Sequence, residues 1–433
     1  MKSKKTLFSI LITIVLLGVM SCARRQENAN TVNAMVVIMG RHANANEFHE
    51  ESYEAVKKYV KNTLTLHGGY VGVISSEGTP RLFDEGRFDY FKVKTKNTRE
   101  QKKQISENIS FVMDFLKSDT NRAVTQENDL LRAIQLARRE LDVFEQQAKR
   151  SGKQIGEKRI VIMSNGIVTA GHLDFSTRNI DNFDFSVPDN EKIKEFASVV
   201  AKELSSRRAL PDLKGINIVF IGLERDGVAL PQRELSENVE NGLRILWKTI
   251  LEKANADSIE ILRTPSTNRA NDDGFPEVRP IEFLENTGWP ISDEQVSFNF
   301  GQSTFSNPQE AVNNLRRFAD TIIRYIRGRP DVRIFVVGSE SKNRIGRYTP
   351  ALSESRARAV MDTLARFGVP RDRMEAFGLA VYLPGRENDR PNGEFDSIIG
   401  KRNQKVVIIP SDISNQAFLR EVLDTRDRLY GKQ

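Results

Sequence analysis

Short unbroken apolar runs alternate along the chain with stretches in which apolar residues recur every three to four positions. The run at Met35–Gly40 reads as a strand buried on both faces and Arg159–Met163 as another buried strand, while Tyr70–Ile74, Gly215–Gly222 and Ser258–Leu262 read as further strands. Between them lies Glu47–Leu66, where Tyr53, Val56, Val60 and Leu64 fall on one helical face. Thr98–Lys117, Asn128–Arg150, Asn190–Arg208 and Glu234–Lys253 read as further helices, and Phe88–Val93 as an edge strand. This order predicts an α/β fold over residues 31–265, a doubly wound, mostly parallel sheet whose ligand edge lies at the carboxyl ends of its strands.

Apolar periodicity lapses between Thr264 and Pro290, where Pro265, Pro276, Pro280 and Pro290 accompany Asn271-Asp272-Asp273-Gly274. Residues 266–290 therefore read as a proline-rich linker. A second unit, α+β in pattern, follows over residues 291–412. Val296–Phe300 alternates like a strand, and Asn307 with Pro308 opens a helix carrying Val312, Leu315, Ala319, Ile322 and Ile326. Arg333–Val337 predicts a strand, Ser353 a cap for the helix carrying Ala357, Val360 and Leu364, and Met374–Ala380 and Gln404–Ile409 two more strands. Residues 413–433 predict a terminal amphipathic helix through Phe418, Leu419, Val422, Leu423 and Leu429, packing on the domain or on a partner.

The chain has 433 residues, too many for one ordinary core, and its 39% hydrophobic and 28% charged residues exclude a polytopic membrane protein. Of its formal charge of +7, the first 21 residues carry +3, residues 22–290 carry −1 and residues 291–433 carry +5. A basic C-terminal part fits nucleic acid, an anionic envelope polymer or a lipid surface, and charge alone does not choose among them. Lys2, Lys4 and Lys5 precede an apolar run from Leu7 to Met20. As a helix that run rises about 21 Å, short of the ~30 Å hydrocarbon core, so residues 1–21 read as a cleaved signal peptide. The run ends in Val19-Met20-Ser21-Cys22, which resembles the bacterial lipobox, and Cys22 is the only cysteine. The resemblance implies acylation, palmitate included, of Cys22. A polar tether then spans residues 22–30.

The first unit offers little chemistry. No glycine-rich phosphate loop or Gly-x-Ser-x-Gly elbow is present, and His42, His49, His67 and His172 form no His-x-x-x-His pair. Glu224 and Asp226, split by Arg225, read as a solvated loop. The element order, with Ile160–Gly166 reading IVIMSNG and Gly215–Leu223 reading GINIVFIGL, resembles the von Willebrand factor type A domain. In that family a magnesium site uses Asp-x-Ser-x-Ser after the first strand, a later threonine and an aspartate after the fourth strand. Here those positions hold Gly40, His42 and Asn44, with Asn165 for the later aspartate and only Thr125 in place of a family ligand. Hard cations favour charged oxygen ligands, so no metal and no cofactor is expected.

In the second unit Val296–Phe300, Leu352-Ser353-Glu354-Ser355-Arg356-Ala357, Gly368-Val369-Pro370 and Arg402-Asn403-Gln404-Lys405-Val406 stand in an order and spacing that resemble the OmpA-like peptidoglycan-binding domain. That family holds the diaminopimelate of the peptide stem between an aspartate in a Gly-His-Thr-Asp loop and the arginine of Leu-Ser-x-x-Arg-Ala, a guanidinium gripping carboxylate and a carboxylate facing ammonium. The resemblance assigns Arg356 and Asn403 to the pocket. The loop reads Gly338-Ser339-Glu340-Ser341, so Ser341 takes the aspartate position and Glu340 stands one residue away. Restoring the acid by Ser341→Asp is expected to strengthen binding. Lys342, Arg344 and Arg347 make the loop cationic and fit an anionic glycan or a solvated surface.

The resemblances imply a non-enzymatic lipoprotein of the bacterial cell envelope. It would be lipid-anchored in the outer membrane facing the periplasm, joining membrane to peptidoglycan while its N-terminal domain binds an envelope protein. No nucleic-acid partner is expected. The alternative is an accessory subunit of an envelope-spanning assembly whose OmpA-like fold makes only protein contacts. A hydrolase at the sheet edge lacks a nucleophile with an evident base.

Overall fold

The computed structural model describes residues 31–40, 48, 50–84, 88–89, 97–121, 123–185, 190–223, 235–262, 280–342, 350–391 and 393–431. The expected signal peptide, Cys22, the tether, His42, Asn44, His49, Glu224, Asp226, Arg344, Arg347 and most of the expected linker lie outside these residues.

Seven strands form the first sheet: β1 (Thr31–Met39), β2 (Tyr70–Ser75), β3 (Arg81–Leu82), β4 (Phe88–Asp89), β5 (Gln154–Met163), β6 (Asn217–Ile221) and β7 (Ser258–Leu262). Their order is β3-β2-β1-β5-β6-β7, with β4 also on β2. The strands from β2 to β7 along that path pair in parallel, whereas β3 and β4 pair antiparallel to β2. Five helices surround it: α1 (Glu50–Thr63), α2 (Thr98–Lys117), α3 (Leu130–Arg150), α4 (Asn190–Ser206) and α5 (Glu237–Lys253). Alternate residues of the central strands feed two cores. Val36, Ile38, Ile160, Ile162, Ile218 and Phe220 pack with α3, α4 and α5. Met35, Val37, Met39, Val161, Met163 and Val219 pack with α1 and α2. Burial on both faces is why these strands read as unbroken apolar runs.

The second sheet has order β10-β9-β11-β8, with β8 (Trp289–Ile291), β9 (Ile334–Gly338), β10 (Met374–Gly378) and β11 (Val406–Pro410). β9 and β10 are parallel, and β11 runs antiparallel to both β9 and β8. Helices α6 (Pro308–Ile326) and α7 (Pro350–Arg366) share one core with Ile334, Val336, Val406 and Ile408. On the opposite face Phe335, Val337, Val407 and Ile409 meet Phe418, Leu419 and Val422 of α9 (Gln416–Tyr430). The terminal helix is thus the second cover of the sheet, and Gly431 in the left-handed region closes it.

Three sequence expectations change. The linker ends earlier than Pro290, because Ile281 and Phe283 are buried in the first core while Leu284, Trp289 and Ile291 belong to the second. Phe283 lies edge-on to Phe175 and Phe185, and Pro290 is tolerated because β8 is an edge strand. Val296–Phe300 is a turn rather than a strand, held by one bridge from Phe298 to Phe305. Helix α7 begins at Pro350, so Ser353 sits inside its first turn, where its hydroxyl donates to the Pro350 carbonyl (2.9 Å) and accepts from the Ala380 N–H (3.0 Å). Proline's fixed φ suits that first helical position. The short helix α8 (Ser397–Asn403), capped by Asp396, was not anticipated.

The two units meet at Asp181, whose carbonyl accepts from the Leu284 N–H (2.9 Å) and whose carboxylate pairs with Arg324 of α6; Ser414 donates to Asp184 nearby. No described helix is long and apolar enough to cross a membrane.

Candidate functional site

Register fixes the ends of the second sheet. Ile291 of β8 and Gly338 of β9 both stand opposite Val406 of β11, so the chain leaves both strands at the same sheet edge. Two strand spacings separate them, about 9.5 Å. The first turn of α7 lies across this edge because Gly338 and Gly378 carry no side chain. A Cβ on Gly338 would stand 2.0 Å from the Ser353 carbonyl oxygen, and one on Gly378 would stand 2.3 Å from the Glu354 nitrogen. This close approach carries Arg356, three residues further along the helix, over the edge.

Arg356 is half-buried, with its guanidinium 5.1 Å above the centre of the Phe298 ring and its Nε donating to the Gln302 carbonyl (3.0 Å). Phe298 is in turn braced by Phe305, 5.3 Å away. One aromatic face and one carbonyl thus fix the stem and near side of the guanidinium. Its two η nitrogens have no partner among the described residues, which leaves the fork open for a carboxylate. Burial lowers the Arg356 pKa, and the nearby Glu340 and Asp293 carboxylates counter part of that shift.

The other residues named from the sequence have different tasks. Ser341 is only 2% exposed, and its hydroxyl accepts from Gln404 Nε2 (2.6 Å), so it is turned into the fold. Glu340 is pinned through its backbone, its N–H donating to the Ala380 carbonyl (2.8 Å) and its carbonyl accepting from Arg386 (3.3 Å). Asn403 is buried and grips Glu387 twice, donating to its carbonyl (2.9 Å) and accepting from its N–H (3.2 Å). It holds the 387–390 segment, where the fully buried Asp389 accepts from the Lys342 N–H and from Arg386 (both 2.7 Å). Burial alone would raise the Asp389 carboxyl, yet the Lys342 N–H and Arg386 hold its pKa below the ordinary value. Of the four named residues, Arg356 presents its charged head to the edge, Glu340 adds its field, and Ser341 and Asn403 build the wall.

Sequence reasoning missed Asp293. It lies in the turn after β8, half-buried, within electrostatic reach of Arg356 and Lys401. Burial raises its pKa, while Arg356 and Lys401 pull it back. Its carboxylate makes no hydrogen bond or ion pair with any described residue. The signal available was slight: Ser292-Asp293-Glu294 looks like any charged surface turn unless Trp289–Ile291 is recognised as a strand.

At the first sheet's carboxyl edge, Thr125 Oγ1 accepts from the Gly78 N–H (2.9 Å) and Asn165 Oδ1 from the Ile167 N–H (3.0 Å). Asn165 braces its own loop, whereas Thr125 ties its loop to the one that follows β2. Among the described residues no group of three or more His, Cys, Asp or Glu converges as metal ligands.

The C-terminal part is OmpA-like: the family model described as OmpA family matches residues 297–395. Solved structures similar to this part include the periplasmic domain of MotB from Helicobacter pylori, 20% identical over 32% of this chain and 83% of that one, with a TM-score of 0.24. The peptidoglycan-associated lipoprotein from Burkholderia pseudomallei is 23% identical over 27% of this chain and 87% of its own, with a TM-score of 0.21. The cell wall anchor of the T6SS from Pseudomonas aeruginosa is 23% identical over 28% and 76%, with a TM-score of 0.22. No curated protein matches the chain.

Proposed function

We propose that the protein is a non-enzymatic lipoprotein of the bacterial envelope that grips peptidoglycan through its OmpA-like domain, with Arg356 as the principal contact. One observation carries this reading. In a region matching the OmpA family, Arg356 is fixed by Phe298 and Gln302 while its η nitrogens remain without a partner among the described residues. An oriented guanidinium of this kind suits a carboxylate of the peptide stem, because its planar fork matches the two oxygens. Acylation at Cys22 would anchor the chain in the outer membrane, facing the periplasm. The N-terminal unit would serve as a von Willebrand factor A-like protein-interaction domain. Its strand order, with β1 central and an antiparallel edge, supports that assignment. Gly40 and Asn165 stand at family metal positions without a carboxylate, so the interaction would not depend on magnesium.

The burial of Ser341 against Gln404 favours a second reading, in which the domain makes only protein contacts within an envelope-spanning assembly. Sedimentation of the full chain with isolated sacculi separates the two. Binding that survives moderate salt and disappears in Arg356→Ala supports wall attachment; no sedimentation of the unmutated chain supports the second reading.

A further inference from the structure

Residues 174–180 of the first unit form a single helical turn with both ends fixed. At its start Asp174 Oδ1 accepts from the Ser176 N–H (2.9 Å) and the Thr177 N–H (3.3 Å). At its end Asn179 takes the left-handed conformation (φ 54°), its N–H donating to the Ser176 carbonyl (3.3 Å) and the Ile180 N–H to the Phe175 carbonyl (2.8 Å). This is a Schellman closure, and the two side chains it brings together, Phe175 and Ile180, are fully buried. With those two in the core, Ser176, Thr177 and Asn179 line a cleft of about 400 Å³ together with Arg324 and Arg327 from the end of α6. All five lining side chains are hydrogen-bond donors, two are guanidiniums, and none is an acid. Arg324 gives Nη2 to the buried Asp181 and to Thr321 Oγ1 (3.2 Å). Its Nη1, the Arg327 guanidinium, the Ser176 and Thr177 hydroxyls and the Asn179 amide have no hydrogen-bond partner among the described residues.

From this arrangement we infer that the cleft between the 174–180 turn and the end of α6 binds a phosphate ester on a small polar body. Arg327 and Nη1 of Arg324 grip the phosphate from the second unit, while Ser176, Thr177 and Asn179 donate from the first. The charge of the lining selects an anion: Asp181 meets Arg324 from within the fold, but Arg327 has no ion-pair partner among the described residues. The number of donors selects the kind of anion. A carboxylate is flat and bidentate, whereas a phosphate ester spreads its oxygens over a tetrahedron and takes donors from both walls of the cleft. The cleft is larger than a bare phosphate ion and polar throughout, so the substituent on the phosphate is a glycerol or a sugar rather than an acyl chain. A molecule held in this way bridges the two units beside the Asp181–Arg324 pair and tightens their docking. Such esters occur free in solution and as the head groups of phospholipids.

Calorimetric titration of the full chain with glycerol 3-phosphate, with glycerophosphoglycerol and with glycerate tests this. Tighter binding of the monoester identifies a soluble ligand, and tighter binding of the diester identifies a phospholipid head group; either supports the inference. The preferred ester should bind at least about tenfold more tightly than glycerate, which carries a carboxylate on a similar polyol. Arg327→Gln should weaken that ester about tenfold and Thr177→Val about fivefold, both with unchanged melting temperature in the absence of ligand, since neither side chain has a partner to lose. Arg366→Gln, which removes an exposed arginine at the end of α7, should stay within about twofold. Saturating ester should raise the melting temperature of the unmutated chain and not that of Arg327→Gln. Glycerate bound as tightly as either ester, or no binding of any of the three, overturns the inference. So does an equal loss in Arg366→Gln, which would mean attraction to net charge alone, and so does a silent Thr177→Val, which would leave the first unit out of the site.

Discussion

Removing Arg324 should destabilise the protein strongly at neutral pH and only mildly in acid. Asp181 is fully buried where the N-terminal unit meets α6. Arg324 donates to one carboxylate oxygen, Oδ2, whereas Oδ1 has no hydrogen-bond partner. Burial raises the Asp181 pKa from 3.8 to about 6 even though Arg324 pulls it down. A carboxyl whose pKa is raised on folding favours the folded state below its unfolded value, and that advantage is lost as pH climbs through about 6. A rise of roughly two units corresponds to about 3 kcal/mol across this window. Arg324→Ala leaves the buried carboxylate uncompensated, at a cost of about 3–5 kcal/mol at pH 8. At pH 5 the carboxyl takes up a proton instead, and the cost should fall below about 2 kcal/mol, because a neutral group needs no counter-charge. Urea unfolding of the full chain at both pH values measures the difference. Asp181→Asn in the Arg324→Ala background should recover most of the loss at pH 8. A loss under about 1 kcal/mol that does not change with pH would refute the reasoning.

Gly338→Ala should lower the melting temperature and weaken sacculus binding together, since its Cβ would lie 2.0 Å from the Ser353 carbonyl oxygen and must push aside the helix carrying Arg356; overpacking of this kind costs about 1–3 kcal/mol, and unchanged melting would deny the close approach. Ser341→Asp, expected from sequence to strengthen binding, should instead bring no gain and cost about 1–3 kcal/mol of stability, because it places a charge at a 2% exposed position; tighter binding in titration would mean that the side chain turns outward. Cys22→Ala should abolish detergent partitioning of the processed protein, since Cys22 is the sole cysteine; partitioning at the unmutated level would argue against acylation.

The sequence determined most of the elements and one end of the site. Strands buried on both faces leave apolar runs, so β1, β2, β5 and β6 are legible by pattern, β7, an edge strand, is legible only as a short alternating run, and the helices between them follow from periodicity. Arg356 was legible because its helix motif, Leu352 to Ala357, is local. What pattern could not reach depends on contacts between distant segments. β8 is three residues long and contains a proline, so only its pairing with β11 makes it a strand. Around Phe298 alternation over five residues predicts a strand, because pattern does not distinguish a ladder from a turn with a single bridge. Ser341 was assigned by position to face a ligand, but the direction of its side chain is set by Gln404, 63 residues later in the chain. Asp293, in the turn after β8, comes within electrostatic reach of Arg356 only through the tertiary fold. Local spacing dictates whether a segment can be helix or strand, whereas which charges share a groove is decided by strand register, and register is settled by packing across the whole sheet.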